Sequence, residues 1–101
     1  MNSPRRVDAV SQSRIWRVEF DRDAARDLRK LGAVAERAIL RYLRQRIATA
    51  EDPRRFGKPL TADLKGLWRY RVGNYRIVAA IEDDRFVILI VTIGHRREVY
   101  D

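Results

Sequence analysis

The hydrophobic period of this chain changes twice. Over residues 14–20, "RIWRVEF" carries β-branched and aromatic residues in near alternation, which favours a strand. Asp21 then offers a side chain able to cap a helix. Ala24, Ala25, Leu28 and Leu31 recur at helical spacing until Gly32 stops the run. A second, longer helix is expected over residues 33–50. At about 100° per residue, Ile39, Leu40, Leu43, Ile47 and Ala50 share roughly a third of its circumference, and Arg37, Arg41 and Arg44 fall on the far, solvated side. Asp52-Pro53 ends this helix, because a residue before proline is pushed out of the helical region. "RRFGKPLTADLKG" reads as a loop. From residue 67 the period becomes two. Strands are expected over residues 67–72, 75–81 and 86–93, joined by two-residue connections at Gly73-Asn74 and near Asp83-Asp84.

The order β-α-α-β-β-β describes a small α+β domain with two N-terminal helices packed on one face of an antiparallel sheet. Residues 1–13 show no period and read as a flexible tail, so the single domain is expected over residues 14–101. The last strand, "FVILIVTI", is apolar on both parities and is expected to lie inside the sheet, covered on both faces over much of its length.

The Gly73-Asn74 turn sets a register with a specific consequence. Glycine supplies the positive φ that a type II′ turn needs at its first central position. Val72 then faces Tyr75, Arg71 faces Arg76, Tyr70 faces Ile77 and Arg69 faces Val78. Strand parity puts Trp68, Tyr70, Val72, Tyr75, Ile77 and Ala79 on a core face and gathers Arg69, Arg71 and Arg76 on the other. Like charges placed opposite one another cost roughly a few tenths to 1 kcal/mol per pair. Two readings follow: a solvated face on which the guanidiniums splay apart, or a phosphate site in which a bound anion removes the repulsion. A second polar cluster follows the last strand in "IGHRREVYD", where Gly94 permits a change of direction that would aim His95 and Tyr100 at the arginine face.

Charge and composition narrow the partners. The net charge is +8 and the sequence pI about 10.8, which points first to a polyanion, an acidic protein or a membrane surface. Cysteine is absent and there is one histidine, so disulfides and thiolate metal sites are excluded and a reducing, cytoplasmic setting is the expectation. No apolar run has the length of a secretory signal or a membrane span. There is no phosphate-cradling glycine loop, nucleophile elbow or paired-carboxylate motif. What remains is a basic, aromatic-bordered site with one imidazole and one phenol, and no metal or cofactor is expected.

"F.RDAARDLRKL", "KPLTADLKGLWRYRVGNYRIV" and "VTIGHRREVY" together resemble the RelE branch of the RelE/ParE toxin superfamily of bacterial type II toxin-antitoxin systems, over residues 14–100. The resemblance implies a RelE-like fold and an mRNA interferase. Such an enzyme cuts messenger in the ribosomal A site, without a metal, by attack of a ribose 2′-hydroxyl on the adjacent phosphate. Carried onto this chain, the family's basic and phenolic positions match Arg69, Arg71, Arg76, Arg96 and Tyr100. Arg76 and Arg96 would hold the scissile phosphate. Arg71, Tyr100 and His95 would share the proton transfers, and Arg69, Lys65, Arg97 and Lys58 would bind RNA. Arginine is a poor base, which shifts weight to His95 and Tyr100. The implied partners are an acidic RelB-like antitoxin, the ribosome with its mRNA, and operator DNA reached through the toxin-antitoxin complex. A ParE-like inhibitor of DNA gyrase without nuclease activity is the alternative on the same fold, and an inactive relative kept for operator control is a third reading.

Overall fold

The computed structural model describes residues 14–60 and 66–95. The expected tail over residues 1–13 lies outside them. Strand β1 (Arg17–Phe20) leads into α1 (Arg22–Lys30) and α2 (Ala33–Tyr42). A short edge strand β2 (Lys58–Pro59) precedes the meander β3 (Leu67–Val72), β4 (Tyr75–Glu82) and β5 (Val87–His95). The spatial order is β1-β5-β4-β3-β2. The α+β class is as expected.

The local signals behave as their chemistry requires. The Asp21 carboxylate accepts from the Ala24 amide at 2.9 Å and caps α1, which buries Ala24 and Leu28 against the sheet. Ile39, Leu43 and Ile47 bury the inner face of the second helix, while Arg37, Arg41 and Arg44 are exposed. Gly73 adopts φ 58, and no positive φ occurs at Asn74. That is the type II′ turn, and the register it imposes is the expected one, with Val72 opposite Tyr75 and Arg71 opposite Arg76.

Four expectations are corrected. The sheet is mixed rather than antiparallel: β1 pairs in parallel with β5, Arg17 opposite Val87 and Phe20 opposite Ile90. Two helices intervene between β1 and the meander, and that length of connection is what a parallel pairing needs. The long helix does not run regularly to residue 50. It loosens into a π-helical turn over Leu43–Ile47, closed by the Ala48 amide on the Leu43 carbonyl at 2.8 Å, and Ala50 is exposed. This frees the Thr49 carbonyl to accept from the Trp16 amide at 2.9 Å, tying the start of the domain to the helix end.

The loop after Pro53 is also partly regular. Asp52 caps a 3-10 turn, Pro53–Phe56, by accepting from the Arg54 amide at 3.0 Å, and Lys58 and Pro59 then pair with Arg69 and Trp68. The second hairpin has a four-residue connection, since Glu82 pairs with Val87. Phe86 stands outside the strand at φ 54. A left-handed phenylalanine is costly, and tertiary contacts hold it there: its ring packs on Trp16 with centroids 4.9 Å apart, and its carbonyl accepts from the Arg17 amide at 2.9 Å.

The double apolar parity of β5 has a specific cause. Val78 pairs with Thr92 but Ala79 pairs with Ile90, so Val91 is an extra residue in the strand. This bulge switches the parity. Ile88, Ile90 and Ile93 therefore all reach the main core, though they do not share one alternation. The face away from the helices is covered by a second, smaller cluster of Leu60 and Val78, with Leu67 and Val91 packed against it.

Tyr70 joins the long loop to this framework. Its side chain is fully buried and its hydroxyl donates to the Pro53 carbonyl at 2.9 Å, while burial pushes its ionisation well above the ordinary value of 10.0. A Cβ at Gly57 would lie 2.9 Å from Tyr70 Cε1 and 3.2 Å from the Arg69 carbonyl oxygen. Gly57→Ala should therefore destabilise the fold by about 1–3 kcal/mol, read as a lower urea midpoint with unchanged slope. Arg54 adds a clamp, donating to both Asp83 oxygens at 3.1 and 2.6 Å, and this pair holds the Asp83 carboxyl below its ordinary value of 3.8. Its stabilisation is present above that value and is lost as pH falls through the lowered one. Because the Asp83 side chain is 63% exposed, the loss should be no more than about 1 kcal/mol and should be absent in Asp83→Asn on acid titration of the unfolding midpoint.

Candidate phosphate-binding face

Each candidate side chain on the meander owes its direction to the hairpin register. Arg71 and Arg76 are directly opposed, and the same row continues to Gly94 on β5. The next row toward the sheet centre runs Lys58, Arg69, Val78, Thr92 across four strands. Tyr70, Ile77 and Ala79 point to the helices, so Lys58, Arg69, Arg71 and Arg76 share the opposite face. Four of the nine candidate residues are thereby brought together.

Their environments differ. Arg76 is only 5% exposed, Arg69 is half-buried, and Arg71 and Lys58 are exposed. Arg69 and Arg76 are already engaged within the chain, so the guanidinium most open to a ligand is that of Arg71. Gly94 brings no side chain to the row. An anion with several oxygens, such as a phosphate, suits such a row, since a planar guanidinium fork can donate to two of its oxygens at once.

His95 does not join them. It pairs with Tyr75, one step beyond Arg76–Gly94, and its ring meets the Tyr75 ring edge-on with centroids 5.8 Å apart. Successive strand residues face opposite ways, so the imidazole lies on the helix side. There it lines an open cleft of about 460 Å³ with Asp27, Lys30, Leu31, Tyr75 and Ile93. The expectation that Gly94 turns His95 toward the arginines is overturned because the β4–β5 ladder continues through His95. Lys65, Arg96, Arg97 and Tyr100 lie outside the described residues. Among the described residues, no group of three or more His, Asp or Glu side chains gathers as a metal ion would require.

The residue placement hidden from the sequence is that of Lys58. A two-residue strand is too short to register as alternation, yet it sets Lys58 beside Arg69. The only local signal is a lysine and a proline after Gly57, where proline is tolerated because it sits on a sheet edge.

The family model described as the ParE toxin of the type II toxin-antitoxin system matches residues 18–100. The chain is a toxin of the RelE/ParE superfamily. Toxin RelG of Mycobacterium tuberculosis is 32% identical over 85 residues, 84% of this chain and 95% of the relative. Toxin RelE of the same organism is 34% identical over 91 residues, 90% and 92% of the two chains. Among solved structures, the RelBE2 toxin-antitoxin complex of M. tuberculosis superposes with a TM-score of 0.75 at 31% identity, covering 83% of this chain and 94% of that one. The Escherichia coli RelBE toxin-antitoxin complex matches with a TM-score of 0.61 at 17% identity, over 79% and 95%, which shows the shared fold. The superfamily assigned from "GLWRYRVGNYRI" and "IGHRREVY" is thus the one found, and the toxin keeps the RelE-like arrangement of two helices and a sheet.

An anion that binds the folded state at the arginine face would stabilise it by mass action. Added inorganic phosphate should raise the thermal midpoint of the wild type, and Arg71→Gln should reduce that rise without lowering the midpoint measured in its absence. A rise in the variant equal to that in the wild type would place the anion elsewhere.

Proposed function

We propose that this toxin is an endoribonuclease that cuts ribosome-bound mRNA in the A site and so arrests translation. The observation that carries the reading is the forced opposition of Arg71 and Arg76, with Arg69 and Lys58 beside them on the face away from the helices. The reaction moves two protons and exchanges one bond. The ribose 2′-oxygen attacks phosphorus and loses its proton. The bond from phosphorus to the 5′-oxygen breaks, and that oxygen takes a proton, leaving a cyclic phosphate and a free 5′-hydroxyl. Negative charge builds on the equatorial oxygens, where preorganised donors stabilise it most. Arg76, buried and oriented, and Arg96, two residues beyond Gly94 in the sequence, hold the phosphate. Arg71 adds a mobile third fork.

With His95 on the other side of the sheet, the proton exchange falls to Tyr100 and solvent: the 2′-hydroxyl proton leaves to water, and the 5′-oxygen takes the phenol's proton, which water restores. An arginine that stays ionised serves poorly as a base but well as a donor to the leaving oxygen and the phosphate. Arg69, Lys58, Lys65 and Arg97 contribute attraction for the RNA backbone. The positive charge also suits an acidic RelB-like antitoxin as neutralising partner, in keeping with the toxin-antitoxin complexes among the structural relatives. Operator DNA is reached through that complex, and the setting is cytoplasmic. Among the described residues no helix is long and apolar enough to cross a membrane.

The second reading, a gyrase-directed toxin without nuclease chemistry, is favoured by the ParE description of the matching family model. Induced expression followed by primer extension separates the two. Cuts in ribosomal A sites are expected, whereas an SOS response with uncut messenger would overturn the nuclease. Arg76→Gln should lower the cleavage rate by about 10²–10³, the usual cost of one preorganised donor, and Arg71→Gln should lower it by at least about tenfold. Circular dichroism should confirm that both variants fold, a check that matters more for the buried Arg76.

A further inference from the structure

We propose that His95 is a positioning residue: its ring braces Tyr75 across the end of the β4–β5 ladder, holds the Arg76–Gly94 pair in register, and exchanges no proton with RNA. The kinetic consequence rests on the nuclease reading, but the brace itself does not.

Strand geometry gives the first argument. His95 and Gly94 are neighbours in β5, and Tyr75 and Arg76 are neighbours in β4. The pair Tyr75–His95 therefore faces the helices while Arg76–Gly94 faces the phosphate site. A proton on the imidazole would have to cross the sheet to reach a phosphate held by Arg71 and Arg76. The groups that share its cleft are Asp27 and Lys30 of α1 and the phenol of Tyr75, all on the helix side.

The second argument is mechanical. At this end of the ladder, Gly94 supplies no side chain to lock β5 against Arg76. The outer adjacent pair, Tyr75–His95, makes a side-chain contact, an edge-to-face aromatic arrangement at 5.8 Å and 71°. Strand ends open more readily than strand centres, and this contact resists opening where the arginine row ends. Tyr75 is in turn packed against the main core, so the brace is anchored through it.

The decisive comparison is His95→Ala against His95→Phe, because phenylalanine keeps an aromatic edge and cannot titrate. Amide hydrogen exchange at Arg76 and Gly94 should quicken about 2- to 10-fold in His95→Ala, the scale of one lost aromatic pair, and return toward wild type in His95→Phe. With programmed ribosomes, His95→Ala should lower kcat by a similar factor while KM stays within about twofold, and His95→Phe should restore kcat. The ratio of His95→Phe to wild-type rates should stay constant between about pH 5.5 and 7.5, the range in which an ordinary imidazole titrates. A His95→Phe variant as slow as His95→Ala, or a ratio that changes across that range, would make His95 a proton carrier and overturn the proposal. Unchanged exchange in His95→Ala would overturn it whatever the activity. If the wild type cuts no messenger, the nuclease reading fails and the exchange comparison still decides the brace.

Discussion

The register of the β3–β4 hairpin governs both the core and the candidate site, and it holds because burial outweighs charge. Tyr70 and Ile77 are fully buried on the helix side of this hairpin. Burying a large apolar side chain contributes about 1.5–3 kcal/mol, so a one-residue slip that turned both outward would cost several times that of one like-charged pair, about 1 kcal/mol at most. Arg71 and Arg76 are crowded together because the core leaves them no cheaper place. The type II′ turn at Gly73-Asn74 makes the same choice locally. Turn chemistry and apolar burial agree, and the basic face is their joint consequence.

Features set by short-range chemistry are legible in the sequence for that reason. The Asp21 cap, the buried stripe of Ile39, Leu43 and Ile47, and the hairpin pairs can each be read from residues a few positions apart. Features decided by distant partners are not. Parallel pairing of β1 with β5 joins residues some seventy positions apart. The bulge at Val91 disguises one buried face as two apolar parities. Phe86 takes a left-handed conformation for the sake of Trp16 and Arg17. Lys58 enters the sheet through a strand too short to have a period. His95 is the instructive case. A polar residue after a glycine invites the idea of a turn, and only the partner strand reveals that the ladder continues through it.

Separating His95 from the arginines changes what kind of catalyst the proposed nuclease would be. A site with a histidine among its arginines can share catalysis between proton transfer and charge stabilisation. A face built from Arg69, Arg71, Arg76 and Lys58 puts most of its chemical effect into charge. On the proposed nuclease reading, the burial of Arg76 would have a purpose: an ionised guanidinium kept from water costs stability, but it would already be oriented when charge develops on a phosphate and need not shed a hydration shell. Arg71, opposite it, is exposed. The two opposed arginines are therefore unequal by environment, one buried and one exposed, although their chemistry is identical. This asymmetry arises from their positions in the sheet: Arg76 belongs to β4, flanked by strands on both sides, while Arg71 lies on β3 beyond the two residues covered by β2. Sheet topology, rather than residue type, gives them different environments.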